Sequence, residues 1–174
     1  MHRFLVAVSL LVVFALPACS GAPTTSNDSS SGGASRSAKV NGLGLMGESL
    51  EGERCDLDRV MASGEWVTLV FWQDWCSSCL AEAPHVQAAS QTYRNRIAFY
   101  GVVSGADQTE GDFGLHKTVR ELGLTYPQVR DRNGSWSARF NVSSTPTILV
   151  FSPDGALRYR GDHLPKNWNE LLGE

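Results

Sequence analysis

The chain has 174 residues, 42% of them hydrophobic, which is enough for one domain with a substantial core. A formal net charge of −3 and the lack of a concentrated basic patch argue against nucleic-acid binding. Four cysteines, at positions 19, 55, 76 and 79, are too few and too unevenly spaced to suggest a disulfide-stabilised scaffold.

The N-terminus has the pattern of a secretory signal. Three residues that include Arg3 precede an apolar run at 4–16, which is too short to span a membrane as a mature helix. The Leu-Pro-Ala-Cys sequence that ends at Cys19 resembles a bacterial lipobox, although proline is a less usual occupant. The resemblance implies a signal peptide at 1–18, lipidation of Cys19 and anchoring at the extracytoplasmic face of the cell membrane. Plain secretion, with Cys19 lost or free, is the alternative.

Residues 20–39 are rich in Ser, Gly, Ala and Thr and contain almost no bulky apolar side chain. Such a segment cannot bury enough surface to offset the entropy of ordering, so we expect a flexible tether. Together with Cys19 it forms a linker at 19–39, and the folded domain is predicted to cover 40–174.

The domain is predicted to begin with a small hairpin. Weak strand signals lie around 40–45 and 49–55, with Glu51-Gly52 as a candidate turn, and a short capped helical turn follows at 56–60. Cys55 is interpreted as a small, partly buried hydrophobic residue, with a redox or partner-linking role as the alternative.

Residues 67–84 are where the sequence predicts chemistry. The apolar run Val67–Trp72 predicts a buried strand, and a helix is expected from Cys76 to about residue 93. A cysteine at a helix N-terminus faces unpaired backbone N–H groups and the positive end of the helix dipole, which lower its pKa. Cys76 is therefore the predicted nucleophile. Cys79, one turn later and more buried, is predicted to resolve the mixed disulfide that Cys76 forms.

The rest of the chain alternates strands and helices, with Pro84 inside the helix that begins at Cys76. Thr145-Pro146 opens an apolar strand that ends at residue 151, and a hairpin turn follows at 152–155. The other predicted elements are a strand at 97–103, a helix at 110–122, an extended segment near 128–130, a helix at 135–140, a strand at 156–160 and a helix at 165–172.

Residues 71–79, Phe-Trp-Gln-Asp-Trp-Cys-Ser-Ser-Cys, resemble the active-site segment of the thioredoxin superfamily. Pro84 within the helix is similar to a kinking proline of thioredoxin-like proteins. Two further features, the N-terminal hairpin and a helix-plus-strand insertion before the last hairpin, resemble those of the membrane-tethered TlpA-like or ResA-like thiol-disulfide oxidoreductases. The resemblance covers residues 40–174 and implies an α/β fold, a three-layer sandwich around a mixed sheet. It also implies a cis bond before Pro146 that exposes the Thr145 backbone to a bound peptide strand, where a trans proline opening an edge strand is the alternative.

Other side chains near the cysteines have predicted roles. Trp75 is expected to form an exposed docking surface for protein substrates, whereas Trp72 packs in the strand layer. Glu82 coincides with a glutamate common in the TlpA-like branch and is predicted to exchange protons with Cys79, provided that burial raises its pKa. A solvated helix residue is the alternative. Plain thioredoxin has a buried aspartate where this chain has Val70, which directs attention to Glu82.

The resemblance implies thiol-disulfide exchange with other proteins outside the cytoplasm. We expect a monomer without a bound cofactor or metal, which does not bind nucleic acid. It would reduce clients such as cytochrome c apoproteins and be recharged by a membrane electron-transfer partner. A disulfide-forming oxidase is the alternative direction.

Three other chemistries are alternatives to thiol-disulfide exchange. A peroxidase of the peroxiredoxin type would require a lone peroxidatic cysteine preceded by a threonine and proline pattern, and the chain lacks this pattern. A copper-delivery protein of related fold, the non-enzyme alternative, would prefer a wider cysteine spacing and a partnering histidine, and His163 keeps this alternative open. Zinc would need Cys55, His85, His116 or His163 as further ligands, but no second pair has the usual spacing.

Overall fold

The computed structural model describes residues 42–104 and 111–173, with side chains omitted at 111–113. The predicted signal peptide, Cys19 and the linker lie outside the described residues. The strands are β1 (Met46–Glu48), β2 (Arg54–Asp56), β3 (Trp66–Trp72), β4 (Ile97–Ser104), β5 (Gln128–Asp131), β6 (Thr147–Phe151) and β7 (Leu157–Gly161). The helices are α1 (Leu57–Ala62), α2 (Ser77–Thr92), α3 (Gly111–Glu121), α4 (Ser135–Arg139) and α5 (Trp168–Leu172).

The core of the fold is a five-stranded mixed sheet with the strand order β5-β4-β3-β6-β7. The central strand β3 runs parallel to β4 and antiparallel to β6. Successive side chains of a strand point to opposite faces. Accordingly, Leu69 and Phe71 pack in one apolar cluster, and Val70 and Trp72 pack in the other. A strand buried on both faces must be covered by two layers.

Helices cover both faces of the sheet. Side chains of α2, α3 and α5 belong to the cluster around Val70 and Trp72, while α1, α4 and the β1–β2 hairpin contribute to the cluster around Leu69 and Phe71. The predicted three-layer α/β sandwich with a mixed sheet is therefore confirmed. Among the described residues, no helix has the length and apolar character needed to cross a bilayer.

The N-terminal hairpin exists, but its predicted strand bounds were wrong. Gly44 has φ +61°, which breaks the extended conformation expected at 40–45, and the strand starts only at Met46. The side chain of Ser49 accepts hydrogen bonds from the backbone N–H groups of Glu51 and Glu53, so the start of the expected second strand is a turn. The strands are consequently three residues each, with Met46 opposite Asp56.

The last helix also differs from the prediction. It begins at Trp168 instead of residue 165, because Asn167 has extended backbone angles and caps the helix by accepting the N–H of Glu170. The residues between β7 and α5 are therefore a loop, which we call the 162–167 loop.

The sheet register brings two distant segments together. Thr147, the first residue of β6, lies opposite Phe71 near the end of β3. Because the two strands are antiparallel, Pro146 precedes β6 at the edge where β3 ends and the chain turns into α2. The Cys-x-x-Cys segment and the Thr-Pro segment thus meet at one edge of the sheet.

Candidate active site

Cys76 and Cys79 form a disulfide at the start of α2, with their Cα atoms 5.2 Å apart. Cys76 is the N-cap residue of the helix, and Cys79 lies one turn inside it. Cys76 is 7% exposed and Cys79 is 3% exposed, so the predicted order of burial holds, although the difference is small. The structure therefore places the two sulfurs as the predicted exchange mechanism requires.

The sulfur of Cys76 lies among hydrogen-bond donors. The backbone N–H of Cys79 donates to it across 3.2 Å, and the hydroxyl oxygen of Ser78 lies 3.4 Å from it. A thiolate at this position would accept both hydrogen bonds and would also face the positive end of the dipole of α2. The site therefore favours a thiolate at Cys76.

Ser78 was not predicted to contribute to the site. Its hydroxyl approaches the Cys76 sulfur because a residue two positions after the N-cap lies in the first helical turn, over the capping side chain. The signal in the sequence that could have indicated this contact is the serine between the two cysteines, whose hydroxyl can donate to a thiolate.

The peptide bond between Thr145 and Pro146 is cis, as the resemblance implied. The carbonyl oxygen of Thr145 lies 3.4 Å from the Cys76 sulfur, and Pro146 is buried. Thr145 itself is partly exposed. The backbone of Thr145 thus lies directly beside the predicted nucleophile.

A small cavity lies behind the disulfide, lined in part by Cys79, Glu82, Val70, Trp72 and Tyr126. Its volume of about 10 Å³ is close to the minimum needed for one water molecule. Burial raises the pKa of the Tyr126 phenol, so this group stays neutral. Glu82 is therefore the lining group that is a carboxylate at neutral pH.

Glu82 is 7% exposed, which excludes the alternative of a solvated helix residue. The proton exchange predicted for Glu82 was conditional on burial raising its pKa, and this condition is not met. Burial does raise the pKa of Glu82, but hydrogen bonds from His163, Leu164 and His85 and the charge of His163 together outweigh it, so the pKa lies below its ordinary value. The same contact with Glu82 raises the pKa of His163.

Both oxygens of Glu82 have partners. The backbone N–H of Leu164 donates to Oε1 across 3.0 Å, and Nδ1 of His163 lies 3.0 Å from Oε2. Nδ1 of His85 lies 3.5 Å from the same Oε2. His163 and Leu164 were not predicted to bind Glu82, because they lie 81 and 82 residues away and no local pattern links them.

The aromatic residues and the acidic residue before the cysteines also have defined positions. Trp75 is 77% exposed and Trp72 is 3% exposed, which confirms the predicted exposure and burial, while the docking role of Trp75 stays a prediction. The ring N–H of Trp72 donates to the side chain of Gln128 across 2.9 Å. Asp74 is partly exposed in the turn that leads to Cys76.

The structure does not gather the remaining cysteine and histidines around the disulfide. Cys55 packs in the apolar cluster on the face of the sheet opposite Cys76 and Cys79. His85 and His163 contact Glu82, and His116 lies on α3. Within 42–104 and 111–173, no group of three or more His, Cys, Asp or Glu side chains is arranged to hold a metal ion.

Comparisons with known proteins agree with this geometry. The sequence profile of the AhpC/TSA family matches residues 39–160. Thiol-disulfide oxidoreductase ResA from Oceanobacillus iheyensis is 31% identical over 94 residues, which are 54% of this chain and 47% of that protein. The thiol:disulfide interchange protein DsbE from Haemophilus influenzae is 29% identical over 119 residues, which are 66% of this chain and 61% of that protein.

A solved structure has the same fold. A secreted disulfide oxidoreductase from Mycobacterium tuberculosis, homologous to Escherichia coli DsbE, superimposes with a TM-score of 0.57. The match covers 74% of this chain and 92% of that protein at 24% identity. The predicted resemblance to ResA-like proteins is thus confirmed, while the chain spans only 47% and 61% of the length of the two curated relatives named above.

Proposed function

Because the chain belongs to the AhpC/TSA family, we propose that its Cys76–Cys79 pair catalyses thiol-disulfide exchange with other proteins. The observation that carries the proposal is the place of Cys76. It caps α2, its sulfur accepts the N–H of Cys79, and it lies beside the Thr145–Pro146 cis bond. The names of the relatives, ResA and DsbE, support the same reaction class.

The first step uses the reduced protein. The Cys76 thiolate attacks one sulfur of a client disulfide, a bond forms between the two sulfurs, and the client disulfide breaks. The departing client sulfur leaves as a thiolate and takes a proton from solvent. The Cys79 N–H and the Ser78 hydroxyl assist by stabilising the attacking anion.

The second step resolves the mixed disulfide. In this proposal Cys79 transfers its proton to Glu82, which does not have the raised pKa expected from the sequence but is the ionised carboxylate that lines the same cavity. The Cys79 thiolate then attacks the Cys76 sulfur, the intramolecular disulfide forms, and the second client sulfur leaves as a thiolate. The client gains two electrons and the Cys76–Cys79 pair loses two. Glu82 releases its proton to solvent before the next cycle.

The client binds across the exposed part of the site. Trp75 offers a flat apolar surface next to Cys76, and the Thr145 backbone pairs with an extended client segment. Main-chain hydrogen bonds do not depend on which side chains the client segment carries, so the protein accepts several clients.

The protein would act outside the cytoplasm as a monomer tethered through a lipid on Cys19. Residues 20–39 would let the domain reach clients near the membrane. The preferred direction is reduction, for example of cytochrome c apoproteins, with a membrane electron-transfer partner that restores the dithiol.

Cysteine variants test the reaction. Cys76→Ser should abolish the protein's acceleration of insulin reduction by dithiothreitol, and Cys79→Ser should accumulate mixed disulfides that non-reducing electrophoresis detects. Cys55→Ser serves as the matched control, because this thiol is buried on the opposite face of the sheet. Full insulin reduction by Cys76→Ser would refute the assigned roles.

The reduction potential of the Cys76–Cys79 pair tests the direction. A value near that of thioredoxin, about −270 mV, would support a reductase, and a value near that of DsbA, about −120 mV, would support an oxidase. For a two-electron couple 30 mV corresponds to about 1.4 kcal/mol, so the two values differ by about 7 kcal/mol in the stability of the disulfide relative to the dithiol.

A further inference from the structure

The 162–167 loop is attached to α2 through Glu82. The Leu164 N–H and Nδ1 of His163 bind the two oxygens of the Glu82 carboxylate, each across 3.0 Å. The loop is itself fixed, because the hydroxyl of Tyr159 donates to the carbonyl of His163 across 2.8 Å. Leu164 also packs against the apolar cluster that contains Cys79. Glu82 is therefore held from outside its own helix.

The hydrogen-bond count at Glu82 limits what else it can bind. An ionised carboxylate has roughly four acceptor sites. His163, Leu164 and His85 occupy three of them. Glu82 also lines the cavity that Cys79 lines. The 162–167 loop and His85 together therefore leave the carboxylate few sites for other partners.

The charges around Glu82 favour its ionised form. His163 and His85 approach the same oxygen, and Asp162 strengthens the positive character of His163 while Lys166 opposes it. The net result is a lowered pKa for Glu82 and a raised pKa for His163. The other titratable groups close to Glu82 are Tyr159 and, around the cavity, Cys79 and Tyr126, whose pKa is raised by burial so that it stays neutral.

We propose that His163 is a positioning residue for disulfide exchange, which holds the Glu82 carboxylate at the cavity that Cys79 also lines. The inference rests on the proposed function. His163 touches neither the sulfurs nor the client and acts only through Glu82. Without it, the Glu82 carboxylate would lose one of the two contacts that hold it from the 162–167 loop and could turn away from Cys79, so resolution would slow while attack by Cys76 would not.

The experiment separates the two steps. The reduced protein is mixed with dithiobis-nitrobenzoate in a stopped-flow instrument, where attack by Cys76 releases one coloured thiolate and resolution by Cys79 releases the second. His163→Ala should leave the first phase unchanged and slow the second about tenfold at neutral pH, a fraction of what a proton acceptor contributes. The pH profile of the second phase should move to higher pH, because the Glu82 carboxyl group then ionises at a higher pH.

Two further variants act as controls. His163→Asn keeps a donor near the position of Nδ1 but carries no charge, so it should restore much of the second-phase rate while its pH profile stays displaced. His116→Ala, on α3, removes a histidine that does not contact Glu82 and should match the unsubstituted protein. A slow second phase in His116→Ala would contradict the proposal.

A second measurement does not depend on exchange. The carbon-13 shift of the Glu82 carboxyl group should titrate at higher pH in His163→Ala than in the unsubstituted protein. If this titration does not move, or if both kinetic phases slow equally, His163 has a structural role and the inference is wrong. Failure of the unsubstituted protein to release either thiolate would instead reject the proposed function, and the carboxyl titration would still test the coupling.

Discussion

Replacement of Gly101 by Ala tests how the sheet holds Trp72 against the cavity beside Cys79. Gly101 lies in β4 between Val70 and Gln128 on the neighbouring strands. A Cβ atom there would lie 1.8 Å from Oε1 of Gln128 and 2.9 Å from the ring nitrogen of Trp72. These two atoms are the acceptor and the donor of one buried hydrogen bond.

The magnitude follows from what the methyl group must displace. Replacing a glycine by alanine at a compatible position stabilises a protein by about 0.4–1 kcal/mol. Here the side chain of Gln128 is 1% exposed and its amide nitrogen also donates to the carbonyl of Tyr126, so it has little freedom to move. Overpacking costs about 1–3 kcal/mol. An unsatisfied buried donor costs about 1–3 kcal/mol more. We expect Gly101→Ala to lower the free energy of unfolding by about 2–5 kcal/mol.

Urea denaturation of the oxidised protein measures this change, and a double-mutant cycle assigns it to the contact. Gln128→Ala removes the atoms that the new methyl group would strike, although it leaves the Trp72 ring N–H without its acceptor. The double variant should therefore be more stable than the sum of the two single changes predicts, by about 0.5–3 kcal/mol.

Two results would refute the reasoning. If Gly101→Ala costs less than about 0.5 kcal/mol, the strands can accommodate a methyl group and the close approach is not a constraint. If the two changes are additive, the cost arises somewhere other than the contact between Gly101 and Gln128.

The other predictions concern three side chains near the site or in the core. Because the pKa of Glu82 is lowered, its ionisation stabilises the folded protein at pH values above the ordinary glutamate pKa of 4.5, and this stability is lost as the pH falls through the lowered pKa. Glu82→Gln should therefore flatten the acid side of a plot of unfolding free energy against pH, and parallel curves for the two proteins would contradict this. Trp75→Ala should raise the KM for insulin several-fold without changing the rate with a small disulfide, and equal losses would rule out a docking role. Cys55→Ala should keep the exchange rate at a cost of about 1 kcal/mol in unfolding free energy, whereas lost exchange would indicate a redox role.

The part of the site that is local in sequence was predictable. A buried strand that leads into a helix whose N-cap is Cys76 is determined by apolar pattern and spacing over a dozen residues. The cis bond before Pro146 could be inferred only from the resemblance of the two separated segments. Its place beside Cys76 requires the antiparallel pairing of β3 with β6.

The environment of Glu82 could not be predicted. Burial alone suggested a raised pKa, but a loop about 80 residues further along the chain reverses the direction by donating to both carboxylate oxygens. In the hairpin, the left-handed backbone at Gly44 and the side-chain hydrogen bonds of Ser49 ended strands that propensity alone would have extended. In each case a specific tertiary or turn contact outweighed the local pattern.

The pH dependence of alkylation at Cys76 is the most direct test of the account. A reduced Cys79→Ser, Cys55→Ser variant leaves Cys76 as the one thiol among the described residues, and the alkylation rate with iodoacetamide is measured against pH. We predict a half-maximal rate at a pH below the ordinary thiol value of about 8.5, because the Cys79 N–H and the dipole of α2 stabilise the thiolate. A midpoint at or above that value would contradict the claim that the N-terminus of α2 activates Cys76.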